Sequence, residues 1–149
     1  MRTYFKQVDL PYSPQQVFDL VADIESYPRF LPHVASARIR RRRGNNLWVD
    51  QLVRVKMLRL RFSTLAVLEP CSRIRVVCSD SPFGYFVEQW TFAAGPCGGT
   101  RLRCRAEFDF GPSLVNRMLA AAIGEALNAT VKGFESRAIQ LYGRAAATS

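Results

Sequence analysis

The chain has 149 residues, 48% of them hydrophobic, and carries 21 Lys and Arg against 12 Asp and Glu for a formal net charge of +9. A chain of this length suits one domain with one core, and no run of about 20 apolar residues is present to span a bilayer. Four cysteines without a CxxC pair and a single histidine do not supply the spacing of a structural zinc site. Reduced thiols, an N-terminus without a secretory signal and a cytoplasmic setting are therefore expected.

In chain order, residues 2–9 alternate and break at Leu10-Pro11, which predicts a first strand. Ser13 can cap a helix over about 14–23, with Pro14 in its first turn and Val17, Phe18, Leu20 and Val21 at helical spacing. From residue 34 the pattern changes to strands near 35–43, 46–57, 59–69, 73–79, 85–94 and 100–110, separated by the turn signals GNN, EPCS, SDSPFG and GPCGG. Short turns join antiparallel neighbours, so a meander is expected. In RLRCRAEFDF, Leu102, Cys104, Ala106, Phe108 and Phe110 share one face and the charged residues the other.

Gly111-Pro112 ends the sheet, and Ser113 can cap a helix reaching about Tyr142. Its apolar stripe reads Leu114, Val115, Met118, Leu119, Ala122, Ile123, Leu127, Val131, Phe134 and Leu141. At 1.5 Å per residue such a helix is roughly 45 Å long and has to lie across the whole sheet. The expected fold class is α+β: a single domain over residues 1–143, with about seven antiparallel strands curved around the C-terminal helix, then a polar tail at 144–149. This geometry can leave a cavity between helix and sheet.

The residues expected inside are chemically poor. Neither a nucleophile elbow nor a phosphate-binding glycine loop is present. Glu88 shares alternation parity with Phe86, Trp90 and Phe92, but an unpaired buried carboxylate is costly, so a strand bulge or the wet cavity rim is the preferred placement. His33, beside Pro32, reads as a surface residue.

Alternation places Arg38, Arg40 and Arg42, then Arg54, Lys56, Arg59 and Arg61, then Arg101, Arg103 and Arg105 on the solvent face. Such a face serves as ordinary solvated surface, as an anchor to anionic membrane, or as a contact for RNA phosphates. Aromatic interleaving for base stacking is missing, and no specific DNA binding is expected.

Three segments carry a family likeness: VFDLVADIESYPRFLPHV at 17–34, DSPFGYFVEQWTF at 80–92, and RLRCRAEFDFGPSLVNRMLAAAIGEALNATVKGFESRA at 101–138. On these the sequence resembles the coenzyme Q-binding protein family of the polyketide cyclase and START-like superfamily, whose bacterial members include ribosome-association toxins. The resemblance implies a helix-grip fold in which SYPRFLPHV forms a short second helix closing one end of the cavity. It further implies non-enzymatic carriage of a hydrophobic isoprenoid, ubiquinone or a precursor, in support of respiration, with uptake at an anionic membrane surface and no metal or resident cofactor.

On that reading Tyr27, Phe30 and Leu31 stand at the mouth with Phe83 and Phe86 on the opposing lip. Val53, Phe62, Trp90, Phe92 and Phe108 line the sheet side, and Met118, Leu119, Ile123 and Leu127 the helix side. The alternative implied by the same relatives is a ribosome-associated regulator of translation that uses the basic face. A further alternative, an aromatase or cyclase, requires acid or base groups inside the cavity.

Overall fold

In the computed structural model, residues 1–78 and 84–143 are described, so Phe83 and the tail at 144–149 lie outside the described residues. The elements are β1 (Arg2–Leu10), α1 (Pro14–Ala22), a 3-10 turn (Ile24–Ser26), α2 (Tyr27–Phe30), β2 (Val34–Arg43), β3 (Asn46–Val55), β4 (Leu58–Glu69), β5 (Arg73–Cys78), β6 (Tyr85–Ala94), a second 3-10 turn (Pro96–Gly98), β7 (Thr100–Asp109) and α3 (Leu114–Tyr142). The strands form one antiparallel sheet in the order β1-β7-β6-β5-β4-β3-β2, and α3 packs on its inner face.

The meander runs only from β2 to β7. β1 closes on the free edge of β7, with Arg2 opposite Phe108 and Leu10 opposite Thr100, so α1 and α2 have to carry the chain from one edge of the sheet to the other. Local chemistry fixes these two helices. Ser13 accepts the Gln16 N–H and donates its own N–H to the Gln16 side chain, a reciprocal cap that starts α1. Leu31 ends α2 in extended backbone (φ −113°, ψ 100°), because the following Pro32 disfavours helical geometry in the residue before it.

Helix α3 begins at a Ser113 cap and buries Leu119, Ala120, Ala122, Ile123, Ala126, Leu127, Val131, Phe134 and Ala138. The expected stripe is corrected at its ends: Leu114, Val115, Met118 and Leu141 are exposed, Met118 by 56%, because the sheet does not cover the first turn or the last. Close approach is possible where the helix is slim. A Cβ on Gly133 would stand 2.2 Å from Leu31 Cδ2, so the missing side chain is what lets Leu31 seat against the helix. Phe134, one residue on, gathers the rings of Trp90, Tyr27 and Phe30 at centroid distances of 5.1, 5.5 and 6.1 Å.

Strand β2 departs from simple alternation. Its register with β3 shifts between Val34 and Ser36 and again between Ile39 and Arg41. The second irregularity inverts the parity beyond it: Arg41 pairs with Trp48 on the outer face, whereas Arg42 pairs with the buried Leu47, on the inner side. Arg42 is exposed only because the core ends before this corner of the sheet, and it does not belong with Arg38 and Arg40 on the convex face.

Candidate functional site

The curved sheet and α3 enclose a cavity of about 110 Å³, partly open to solvent. Its walls include Val49, Val53, Phe62, Ile74, Val76, Phe86 and Trp90 from the strands, Ile123, Ala126 and Leu127 from α3, and Val21, Ile24, Tyr27 and Leu31 from the helical crossover. The cavity is somewhat smaller than the ~150 Å³ that holds benzene, so a ring would occupy it together with part of the open side. Tyr27 is pinned as part of the wall, its hydroxyl donating to the Val21 carbonyl at 2.5 Å.

Polar groups interrupt this apolar surface at a few points, chiefly Gln51, Thr64, Glu88, His33 and Thr130. For Glu88 the expected strand bulge is corrected, while its place on a cavity partly open to solvent stands, with the residue half-buried. β6 carries no bulge: Glu88 pairs in register with Val76 on β5 and Ala106 on β7, and alternation carries its carboxyl into the cavity beside Trp90. Trp90 donates its indole N–H to Glu88 Oε2 at 2.5 Å, and Oε1 has no hydrogen-bond partner among the described residues. Burial raises the Glu88 pKa to about 6, with the indole bond opposing the shift. The same seclusion pushes up the Cys104 thiol and the Tyr27 phenol, in each case with the Glu88 charge as the second contribution. Tyr4, across Ala106 from Glu88 in register, has a buried hydroxyl without a partner and is pushed up to about 12, by burial first.

His33 is the second correction, because it lines the cavity instead of the surface. Its Nε2 lies 2.8 Å from Thr130 Oγ1, and Thr130 donates its own hydroxyl to the Ala126 carbonyl. Thr130 Oγ1 therefore accepts from His33 Nε2–H, and Nδ1 keeps a bare lone pair that is buried and unpartnered. Burial lowers the His33 pKa, which favours this neutral form. The signal for both residues was present: Glu88 in its parity with Trp90, and His33 in its place immediately after an apolar mouth.

Of the residues expected to line the cavity, Tyr27, Leu31, Val53, Phe62, Phe86, Trp90, Ile123 and Leu127 do so. Phe92 turns to Phe18 instead, ring to ring at 5.3 Å, under α1. Phe108 stacks between Phe86 and Phe110 and borders a separate polar cleft. Leu119 packs in the core beyond the cavity, Met118 faces solvent, and Phe30 covers Phe134 from outside with Arg137 over its ring at 5.1 Å. Among the described residues no cluster of three His, Cys, Asp or Glu is placed to hold a metal ion.

The convex face divides by pairing. Arg101 bonds Asp9, Arg105 bonds Glu107, Arg40 bonds Asp50, Arg73 bonds Glu69, and Arg103 donates to Gln7. Arg38, Arg59 and Arg61 have no acidic partner among the described residues, nor do Arg54 and Arg75. At the tip of the β3–β4 hairpin Arg54 stands directly opposite Arg59, with Arg61 one step further along the outer face. Lys56, in the turn itself, is held by Glu125 of α3 at 3.2 Å.

The family described as polyketide cyclase / dehydrase and lipid transport matches residues 10–135. A ribosome association toxin of Pseudomonas aeruginosa is 31% identical over 134 residues, 90% of this chain and 93% of its own. An 18 kDa protein of Caulobacter crescentus, solved in solution, is likewise 31% identical, with a TM-score of 0.77 over 97% of this chain and 100% of its own. The mitochondrial coenzyme Q-binding protein of Drosophila melanogaster is 27% identical over 95 residues, which span 63% of this chain but 39% of that one.

Proposed function

Because the chain belongs to the polyketide cyclase / dehydrase and lipid transport family and is similar along most of its length to a ribosome association toxin, we propose that it is a non-enzymatic cytoplasmic protein that associates with the ribosome and regulates translation. The observation that carries this reading is the pairing of Arg54 with Arg59 across the hairpin, with Arg61 beside them and no carboxylate among them. Like charges directly opposite on one sheet face repel, and a fold that keeps them gains when a polyanion takes their place as counter-charge. Ribosomal RNA is such a polyanion, and each phosphate neutralised releases bound cations, which makes the contact salt-dependent. Sedimentation of the purified protein with isolated ribosomal subunits at about 50 mM salt, and its release as salt rises to about 200 mM, is the test. A protein that stays at the top of the gradient at both concentrations contradicts the proposal.

A second reading, carriage of a hydrophobic small molecule, is favoured by the cavity itself. Its size narrows the ligand. At about 110 Å³ the space is of the order of one ring, whereas a long isoprenoid tail has to leave through the open side, where an anionic membrane surface could receive it. The likeness to a coenzyme Q-binding protein is confined to 39% of that relative, and ubiquinone is one of several ring-and-tail molecules compatible with the space. Lipid extraction of protein purified from its native host, followed by mass spectrometry, tests this; extracts with no bound amphiphile count against it.

A further inference from the structure

The polar groups of the cavity are not a random sprinkling. Glu88 Oε1 has no hydrogen-bond partner among the described residues and His33 Nδ1 is buried without one, while three of the neighbouring donors are committed elsewhere. The Trp90 N–H is spent on Oε2, the Thr130 hydroxyl on the Ala126 carbonyl, and the Tyr27 hydroxyl on the Val21 carbonyl. Gln51, a neutral amide, can donate or accept and so does not discriminate. Both of these groups are acceptors; the Tyr4 hydroxyl, also unpartnered, approaches Glu88 from β1 without lining the cavity, and the Thr64 hydroxyl in the wall, like the Gln51 amide, can donate or accept. A carboxylate offers about four acceptor positions, and Glu88, half-buried in a cavity partly open to solvent, has one of them filled by the Trp90 indole.

From this we propose that the cavity selects a hydroxylated single-ring amphiphile, an alkylphenol in the simplest form, whose O–H is donated to Glu88. The inference rests on reading the cavity as a ligand site. Shape and chemistry agree: the volume is of the order of one ring, the apolar walls suit its faces, and the open side gives the remainder of the ring and an alkyl chain room to pass. An oxidised quinone ring carries only acceptors and meets the Glu88 carboxylate with repulsion, so the preferred head is the hydroxylated one. A hydroxyl also satisfies an acceptor without bringing a second charge into an apolar chamber.

The two tryptophans make the test direct. Trp90 bonds Glu88, whereas Trp48 lies on the outer face beneath Arg41 at 4.9 Å and serves as an internal control. In the full chain labelled with nitrogen-15, the indole N–H resonances are followed at pH 7.5 while 4-pentylphenol, 4-pentylanisole or pentylbenzene is added. The phenol is expected to bind about tenfold or more tightly than the other two, and to move Trp90 but not Trp48. Glu88→Gln, which retains an acceptor for Trp90, is expected to cut that advantage, taken as the ratio of phenol to pentylbenzene affinity within each protein, to about threefold or less. Equal binding of phenol and anisole to the wild-type chain overturns the proposal, as does an advantage that survives Glu88→Gln. If pentylbenzene binds without any preference for the phenol, the cavity remains a ligand site and only the Glu88 selection fails; if none of the three binds, the cavity reading falls with it. The wild-type comparison decides by itself should the variant fail to fold.

Discussion

Trp90 and Glu88, two residues apart on the inner face of β6, are joined by an indole N–H to carboxylate hydrogen bond of 2.5 Å. Alternation makes the pairing possible, because residues i and i+2 of a strand share a face. The bond does not offset the desolvation of the carboxyl, whose pKa stands at about 6 against an ordinary 4.5.

That shift has a signed consequence for stability. A carboxyl whose folded pKa is raised is favourable to folding below its unfolded pKa, and the benefit is lost as pH rises through the folded value. Between about pH 4 and pH 7 the wild-type chain is therefore expected to lose about 2 kcal/mol relative to Glu88→Gln. The groups facing Glu88 are Tyr4, Tyr27, Cys104 and Trp90, all neutral in this window, and His33 shares the cavity. His33 acts in the opposite sense: its lowered pKa costs stability as pH falls below about 6.5, and it is common to both chains, so the difference isolates Glu88. Urea unfolding of the two proteins at stepped pH measures it, and a pH-independent difference would contradict the buried ionisation.

Phe134 is 1% exposed and touches three other rings, so Phe134→Ala is expected to cost about 3–5 kcal/mol. Met118→Ala, in the exposed first turns of the same helix, is expected to change stability by less than about 0.5 kcal/mol. Chemical denaturation of the pair tests whether the stripe of α3 starts where the sheet begins to cover it.

Gly133 and Leu31 interlock, so Gly133→Val drives a side chain into space that Leu31 occupies. Overpacking of this kind costs about 1–3 kcal/mol. Leu31 also walls the cavity, and the resonances of residues 27–34 are expected to shift more than those of β1 or β7. Uniformly small shifts would show that Leu31 is not held against the helix.

The long elements were legible in the sequence because their periods are strong: strand alternation from residue 46 to 110 and the extended apolar run of the last helix locate the sheet and its cover. What failed did so for identifiable reasons. Alternation assumes an unbroken register, and the β2 irregularity between Ile39 and Arg41 moved Arg42 to the other side. Helical spacing marks apolar residues but not how far a sheet reaches, hence Met118. Parity placed Phe92 and Phe108 correctly on the inner face, yet a face larger than its cavity has room for residues that only pack. Energetic cost argued for a bulge or the wet rim at Glu88, and a loop position beside Pro32 argued for the surface at His33; both line the cavity half-buried, so cost identifies groups that need a reason to be there, not groups that are absent.

Arg59→Glu separates structural from binding roles at the hairpin. It replaces a like-charge pair with an attraction between Arg54 and the new carboxylate, and is expected to raise stability by about 0.2–1 kcal/mol while weakening ribosome association. Arg101→Gln, at a position where the arginine is already paired with Asp9, is expected to change association much less. Thermal unfolding and sedimentation read the two effects independently, and a loss of both stability and binding on Arg59→Glu would point to simple damage of the hairpin.

If the unpaired arginines of the convex face meet RNA phosphates, the affinity for ribosomal subunits has to fall as salt rises, and the decisive quantity is the slope of its logarithm against the logarithm of salt concentration. A steep negative slope is expected for the wild-type chain, shallower by about 0.7–0.9 for each phosphate no longer neutralised in Arg54→Gln, Arg59→Gln and their combination. Affinity independent of salt, or a slope unchanged in the double variant, would contradict that meeting of arginine and phosphate.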